Sequence, residues 1–353
     1  MKHIMSLGID ISKNLFELCG LDKQGNKIYK KTVKRDDFVK TILKLRIDTA
    51  YMEACGSSNH WVRTLKKLEV DIKLISPQFV KPFVKTNKND SNDAEAIAEA
   101  GSRGHMRFVS EKTLEQQDIQ SLLRIRERLK NNRTRLINET RGLLGEYGII
   151  IPLGANKMYK ALPVIIDNAN GKLTTIMQRT MNQLYCELKN IDLEMDYYEN
   201  ELSSLYEQHA VAQKISDIPG VGMLTALSVV ALAGNGKHFS NARHFSAYLG
   251  LVPRQHSSGG REKILGISKR GNTFVRTLLI HGARAVITHV EKKTDSRSRW
   301  IKNLKERNGF NRAAVALANK NARIIWALLT KQEKFSHERY CNLLETNAIA
   351  KVA

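Results

Sequence analysis

An N-terminal α/β domain built on a mixed sheet, followed by an all-α remainder, is the fold class that the sequence predicts. Three observations predict it. Short strand-like apolar runs near the start give way to alternating helix and strand patterns, two later stretches carry apolar heptads, and the last third consists of apolar or amphipathic helical segments between Gly-rich turns. At 353 residues there is room for two or three domains that each bury a core.

The elements follow in order. Residues 3–9 (HIMSLGI), 15–21 (LFELCGL) and 26–33 (NKIYKKTV) read as strands, the last two joined by the turn Asp22-Lys23-Gln24-Gly25, so an antiparallel meander opens the chain. A helix over 36–45, the strand TAYMEA at 49–54, a helix over 59–68 and the strand DIKLIS at 71–76 come next. From Leu114 a long helix carries Leu122, Leu129, Leu136 and Leu143 at sevenfold spacing with Ile125 between them, and Gly145, Gly148 and Pro152 end it. After an irregular region, Leu184, Leu188, Ile191, Met195, Tyr198, Leu202 and Leu205 alternate spacings of four and three, the pattern of a coiled-coil seam. That seam needs a partner, either the first long helix folded back or the same helix of another subunit. As a joining surface for subunits it is the obvious candidate.

The third region opens at Ile218-Pro219-Gly220-Val221-Gly222 and continues into the apolar helix MLTALSVVALAG. A tight turn before a helix start presents free N–H groups that can hold a phosphate, which makes Gly220 and Gly222 nucleic-acid candidates in a half helix-hairpin-helix; a plain helix-to-helix turn is the alternative. A loop from Pro253 to Arg261 and the stretch Gly266 to Asn272 precede an amphipathic helix through Val275, Leu278, Leu279 and Ala283, and a helix near 322–330 packs around Trp326.

Charge narrows the partners. Lys and Arg number 57 against 35 Asp and Glu, a formal charge of +22. Such an excess calls for an anionic partner, with nucleic acid ahead of a membrane surface. Residues 251–300 hold eleven Lys or Arg against Glu262, Glu291 and Asp295 and are expected to face phosphates. No apolar run is long enough to span a bilayer, and MKHIMSLGIDIS lacks the layout of a signal peptide, so a cytoplasmic protein is expected. Cys19, Cys55, Cys186 and Cys341 form no CxxC pair and read as reduced, mostly packed thiols.

Four acidic residues could carry chemistry. Asp10 follows the apolar strand in LGIDIS, Glu53 closes TAYMEA, and Asp90 with Asp93 would share one face at a helix start in KNDSNDAEAIAEA. Singly, each has a structural reading as a cap, a first-turn residue or a solvated strand end. Gathered in one cleft they would repel one another unless a divalent cation intervened, and hard oxygen ligands suit Mg2+ or Mn2+ and phosphoryl transfer.

In that order, GIDISKN, YMEACGSSNHW, KNDSNDAEAIA, IPGVGMLTA, YLGLVPRQHSSGG, GISKRGN and AVALANKNARIIWALL resemble the DEDD transposases of the insertion-sequence "one-ten" group, relatives of the Piv-type DNA invertases. The resemblance spans nearly the whole chain. It implies a RuvC-like, ribonuclease-H-type domain over 1–110 carrying Asp10, Glu53, Asp90 and Asp93, and a coiled-coil spacer over 111–212. A transposase serine domain would occupy 213–335, with a tail over 336–353. The family's KTDxxDA reads KNDSNDA here, so Asn89 stands where Thr is usual while both aspartates remain. The family's serine directly precedes a glycine, which selects Ser258 over Ser257 as nucleophile, with His256 as the local base. Arg254, Arg261, Lys269 and Arg270 would neutralise phosphate around it. The resemblance further implies donor and target DNA as substrates, a structured noncoding guide RNA encoded by the element, and a homo-oligomer, dimer or tetramer, that holds two duplexes. The rival reading is a metal-dependent Holliday-junction resolvase-like nuclease in which the carboxylates do all the cutting and Ser258 only shapes a loop.

Overall fold

The computed structural model describes residues 3–84, 90–168, 171–259, 261–331 and 335–336, with the side chains of residues 90 and 91 left outside that description. Gly260, Cys341 and all but the first residue of the expected tail lie outside the described residues. Two compact units divide the chain, residues 1–113 and 114–353.

In the first unit the meander forms as β1 (Ile4–Ile11), β2 (Leu15–Leu21) and β3 (Lys27–Lys34). Asp22 makes the β2–β3 turn: its carboxylate accepts the Gln24 and Asn26 amides at 2.9 and 2.8 Å. Then come α1 (Phe38–Leu43), β4 (Ile47–Glu53), α2 (Ser58–Lys66), β5 (Ile72–Ile75), α3 (Pro77–Val80), α4 (Asp90–Gly101) and β6 (Phe108–Val109). The sheet order is β3-β2-β1-β4-β5-β6. β1, β4 and β5 run parallel and the outer pairings are antiparallel.

The two faces of this sheet are packed differently. Leu7, Ile9, Phe16, Leu18, Ala50, Met52 and Leu74 join one core with Phe38, Ile42, Trp61 and Leu65 from α1 and α2. Within it the Phe16, Phe38 and Trp61 rings meet edge to face at 4.6–5.1 Å, a geometry worth about 0.5–1.5 kcal/mol per pair. The other face is covered by α4, whose small residues let it sit almost on the strands. A Cβ added to Gly8 would overlap the Ala94 carbonyl oxygen and crowd the Ala98 amide at 2.6 Å, so only glycine fits at this point of β1. The alanine-rich DAEAIAEA is the matching half of that contact, with Ala94, Ala96, Ala98 and Ala100 all buried.

The second unit begins with α5 (Leu114–Gly145), α6 (Ala155–Asp167) and α7 (Thr175–Gln208). Arg126 bonds Glu199 and Arg133 bonds Asp192 at 3.1 Å; the order reverses between the helices, so α5 and α7 pair antiparallel. Leu129, Leu136, Leu188, Ile191 and Met195 are buried in one core with Met158 and Leu162 of α6. Of the two partners open to the 184–205 heptads, the first long helix folded back is the one present within the chain, where Leu188, Met195 and Leu202 are covered. The region expected to be irregular contains α6, hidden from sequence reading because Pro163 stands inside it.

Ile119, Leu123 and Leu202 root the helix pair in a larger core. That core is formed with α8 (Ala210–Ser216), α9 (Met223–Ala233), α10 (Ala242–Tyr248), α11 (Thr273–Thr288), α12 (Ser296–Asn308) and α13 (Phe310–Lys331). Trp326 does pack there, its Nε1 donating to the Gly236 carbonyl at 3.1 Å. The stretch from Pro253, expected to be a loop in a helical domain, instead forms the two-stranded hairpin β7 (Pro253–Ser258) and β8 (Arg261–Ile267). No helix among the described residues is long and apolar enough to cross a membrane.

Candidate functional site

Strand register places the first two carboxylates. Ile9 pairs with Met52 across the parallel β1–β4 ladder, so Asp10 and Glu53, one step further along, are neighbours and project to the face that α4 covers. The Cys55 thiol just beyond β4, on a residue exposed at the surface, is pushed up by partial desolvation of its sulfur and then by the charges of Glu53 and Asp10. The strand register itself sets the two carboxylates, and so their negative charge, side by side. Directly across the antiparallel β1–β2 pairing from Asp10 stands Glu17, whose carboxylate accepts the Thr32 hydroxyl at 2.7 Å.

Like charges in adjacent or opposed positions on a sheet destabilise it unless a cation offsets them. The donors are hard oxygens of the kind Mg2+ and Mn2+ take. Asp10 and Glu53 thus supply two donors of the chemistry that a divalent cation takes. α4 begins at Asp90, as the KNDSNDA pattern predicts, and Asp93 is half-buried directly before Ala94, which rests on Gly8. Among the described residues no three His, Cys, Asp or Glu side chains are grouped closely enough to hold a metal, and the Asp90 side chain lies outside them. The fold brings Asp10 and Glu53 together; Asp93 stands at the start of the helix that covers their face.

The β7–β8 register separates the two serines. His256 faces Lys263 and Ser258 faces Arg261, and since alternate residues share a face, these four form one side of the hairpin. Ser257 lies on the other side with Gln255, Glu262 and Ile264, and Gln255 Nε2 donates to its hydroxyl at 2.9 Å. Every residue of β7 is exposed, Arg254 included, as are Arg261, Lys269 and Arg270.

The loop after β8 is held by its backbone rather than by its side chains. Ser268 and Lys269 amides donate to the Val252 and Gly250 carbonyls at 2.8 and 3.2 Å. The buried Arg276 guanidinium clamps the Arg270 and Leu249 carbonyls at 2.8 and 3.1 Å. This corrects the expectation that the whole 251–300 segment faces phosphates, because Arg276 and Arg297 point into the protein. Arg297 bonds Asn321 Oδ1 at 2.9 Å, and its guanidinium and the Asn321 amide both donate to the Pro219 carbonyl, fixing the turn before α9. The signal was available for Arg276, which lies between Val275 and Leu279 on the apolar side of its helix. The two glycines of that turn also differ. Gly220 has φ +86° and is half-buried with its Cα against the Gly282 backbone, so no side chain fits there, whereas Gly222 is exposed at the start of α9 with open space around it.

A six-stranded mixed sheet with carboxylates on its central parallel strands, joined to a helical unit, is a RuvC-like DEDD domain with a helical C-terminal region. Comparison with known families agrees. The profile of the transposase IS116/IS110/IS902 family matches residues 212–300, and a DEDD transposase profile of the IS110 type matches residues 7–149. The chain is 56% identical to the transposase for insertion sequence element IS1111A of Coxiella burnetii, over 95% of this chain and 92% of that protein. It is 35% identical to the transposase for insertion sequence element IS1328 of Yersinia enterocolitica, over 95% of this chain and all of that protein. A pilin gene-inverting protein of Moraxella lacunata is 23% identical over 72% of this chain and 73% of its own length. The chain belongs to the IS110 family of insertion-sequence transposases.

Proposed function

We propose that this transposase cuts and rejoins donor and target DNA in the cytoplasm, using Asp10, Glu53, Asp90 and Asp93 to hold Mg2+ or Mn2+ and Ser258 as the nucleophile. The observation that carries the reading is the Asp10–Glu53 pair on adjacent parallel strands of a basic chain in this family. A divalent cation there supplies charge neutralisation for phosphoryl transfer. Ser258 Oγ attacks phosphorus and its proton passes to His256, which shares its side of the hairpin. A P–O(Ser) bond forms as the P–O bond to the sugar breaks, and the sugar oxygen takes a proton as it leaves. Arg261 and Lys263 on that side, with Arg254, Lys269 and Arg270, offset the phosphate charge. Gly222 offers the open start of α9 to a further phosphate.

The family resemblance also supports an element-encoded guide RNA, and two duplexes held together call for a homo-oligomer. With the α5–α7 seam used internally, another surface joins the subunits. Sequencing nucleic acid that copurifies with the protein tests the RNA; a discrete element-derived transcript is expected.

A nicked DNA substrate that traps covalent protein tests the serine. Adduct on wild type, at Ser258 by peptide mapping, and none on Ser258→Ala are expected, with a loss of turnover of about 10^4-fold or more. Ser257→Ala should retain adduct formation, since Ser257 lies on the opposite side. Cleavage by Ser258→Ala at the wild-type rate, without adduct in either protein, would establish the nuclease reading instead.

A further inference from the structure

A cavity of about 470 Å3 opens in the second unit between α5, α9 and the first turn of α11, and nothing described above uses it. Its volume lies in the range of about 300–1,000 Å3 typical of small-ligand clefts. The floor is apolar: Leu123 and Ala231 are buried, and Leu232 and Phe274 are half-buried.

The rim is cationic. Arg124 and Arg128 line it one helical turn apart, hence on the same side of α5. Both are exposed, and among the described residues neither guanidinium makes an ion pair or hydrogen bond. The contrast lies on the same helix, where Arg126 and Arg133 are paired with Glu199 and Asp192. Glu127 is the one carboxylate among the lining residues, and Lys130 stands 3.4 Å from it. On the opposite wall, Asn272 caps the Val275 amide at 3.0 Å. The Thr273 and Phe274 amides have no carbonyl to bond within the helix.

An apolar slot with one aromatic ring, bordered by two uncommitted guanidiniums, matches an unpaired nucleotide: a flat base with an anionic phosphate attached. The cavity adjoins the basic loop along the chain. Lys269 and Arg270, exposed on a loop whose backbone is pinned, lead directly into Asn272 and Thr273 of the cavity wall. A base inside a duplex cannot enter, because its faces are stacked and its edge is paired.

We propose that this cavity receives one unpaired nucleotide of the nucleic acid bound by the transposase. Its base packs beside Phe274, and its phosphate lies between Arg124, Arg128 and the start of α11. The inference rests on the nucleic-acid reading above and goes further by naming a single-nucleotide subsite.

Fluorescence anisotropy with the full chain tests it, using labelled DNA duplexes of equal length. One is fully paired, one carries a single extra unpaired thymidine, one carries an abasic residue at that position, and one carries an unpaired uridine ribonucleotide. The duplex with the unpaired thymidine should bind about tenfold more tightly than the paired one, the effect of stacking one base. The abasic duplex should return to the paired level, a result obtained on unaltered protein. Phe274→Leu, which keeps an apolar side chain in the wall, and the double substitution Arg124→Ala with Arg128→Ala should each bring the preference close to unity. A stronger preference for the uridine keeps the subsite and assigns its occupant to an RNA strand; equal preference keeps it for either strand. Equal binding of the paired, bulged and abasic duplexes, with steep salt dependence throughout, overturns the subsite and leaves the nucleic-acid reading standing. Binding to none of them overturns both.

Discussion

The two sets of residues to which catalysis is assigned sit on opposite kinds of support. Asp10 and Glu53 project from adjacent strands inside a six-stranded sheet, with an aromatic core behind them and α4 seated on the backbone of Gly8 in front. Ser258 and His256 project from a two-stranded hairpin whose first strand is exposed along its whole length. A packed sheet fixes carboxylate positions before any metal or substrate arrives. A lone hairpin is only marginally stable in water, so the serine's position depends on what the hairpin rests against. On the proposed assignment, the metal site would be preorganised by the fold, while the serine would take its final position against the bound nucleic acid.

The two supports should differ most in hydrogen exchange. β1 and β4 amides should exchange at least about a thousandfold more slowly than β7 and β8 amides in the free protein, and DNA should slow the hairpin alone. Hairpin amides already protected without DNA would show the hairpin to be as firmly held as the sheet.

Asp10→Asn tests the rigid support. Strand cleavage should fall by about a hundred- to a thousandfold, while the metal-free melting temperature holds or rises, because the substitution relieves repulsion with Glu53 and Glu17. A marked fall in melting temperature would make Asp10 a structural residue.

Lys269→Ala probes the basic surface after the hairpin. The plot of log affinity against log salt should lose about 0.9 of its slope if that side chain meets one phosphate of duplex DNA, with no change in sequence preference. An unaltered slope would take Lys269 out of the interface.

The smallest effect concerns Cys55. Its thiol is held above the ordinary range by partial desolvation, Glu53 and Asp10. Glu53→Gln removes a charge that opposes the thiolate, so the pKa falls and more thiolate is present at mildly alkaline pH. Alkylation of Cys55, followed by peptide mass, should quicken by about two- to fivefold. A rate indifferent to Glu53→Gln and Asp10→Asn would separate the thiol from the carboxylates.

Legibility followed the range of the interactions. Strands β1 to β5 and the long helices showed in the sequence because alternation and heptads are local consequences of burying one side. Asp10 and Glu53 stood out as polar residues closing apolar strands. Glu17 did not, since its place opposite Asp10 needs the β1–β2 register. β7 and β8 were missed because neither side of the hairpin is buried, so no alternation was imposed on PRQHSS. Pro163 masked α6, and charge counting took Arg276 and Arg297 for surface residues although each clamps backbone carbonyls.

The order of elements, the acidic and serine motifs, and a charge of +22 that demands an anionic partner are all written in the amino-acid sequence. These are properties of composition and near-neighbour periodicity. Only the tertiary structure decided that the α5–α7 seam closes within one chain, that Ser258 and Ser257 lie on opposite sides of a hairpin, and that Arg124 and Arg128 border a cavity while Arg126 and Arg133 are spent in ion pairs. Each depends on which distant segment packs against which side of an element, and that choice is made by burial and pairing across the whole fold.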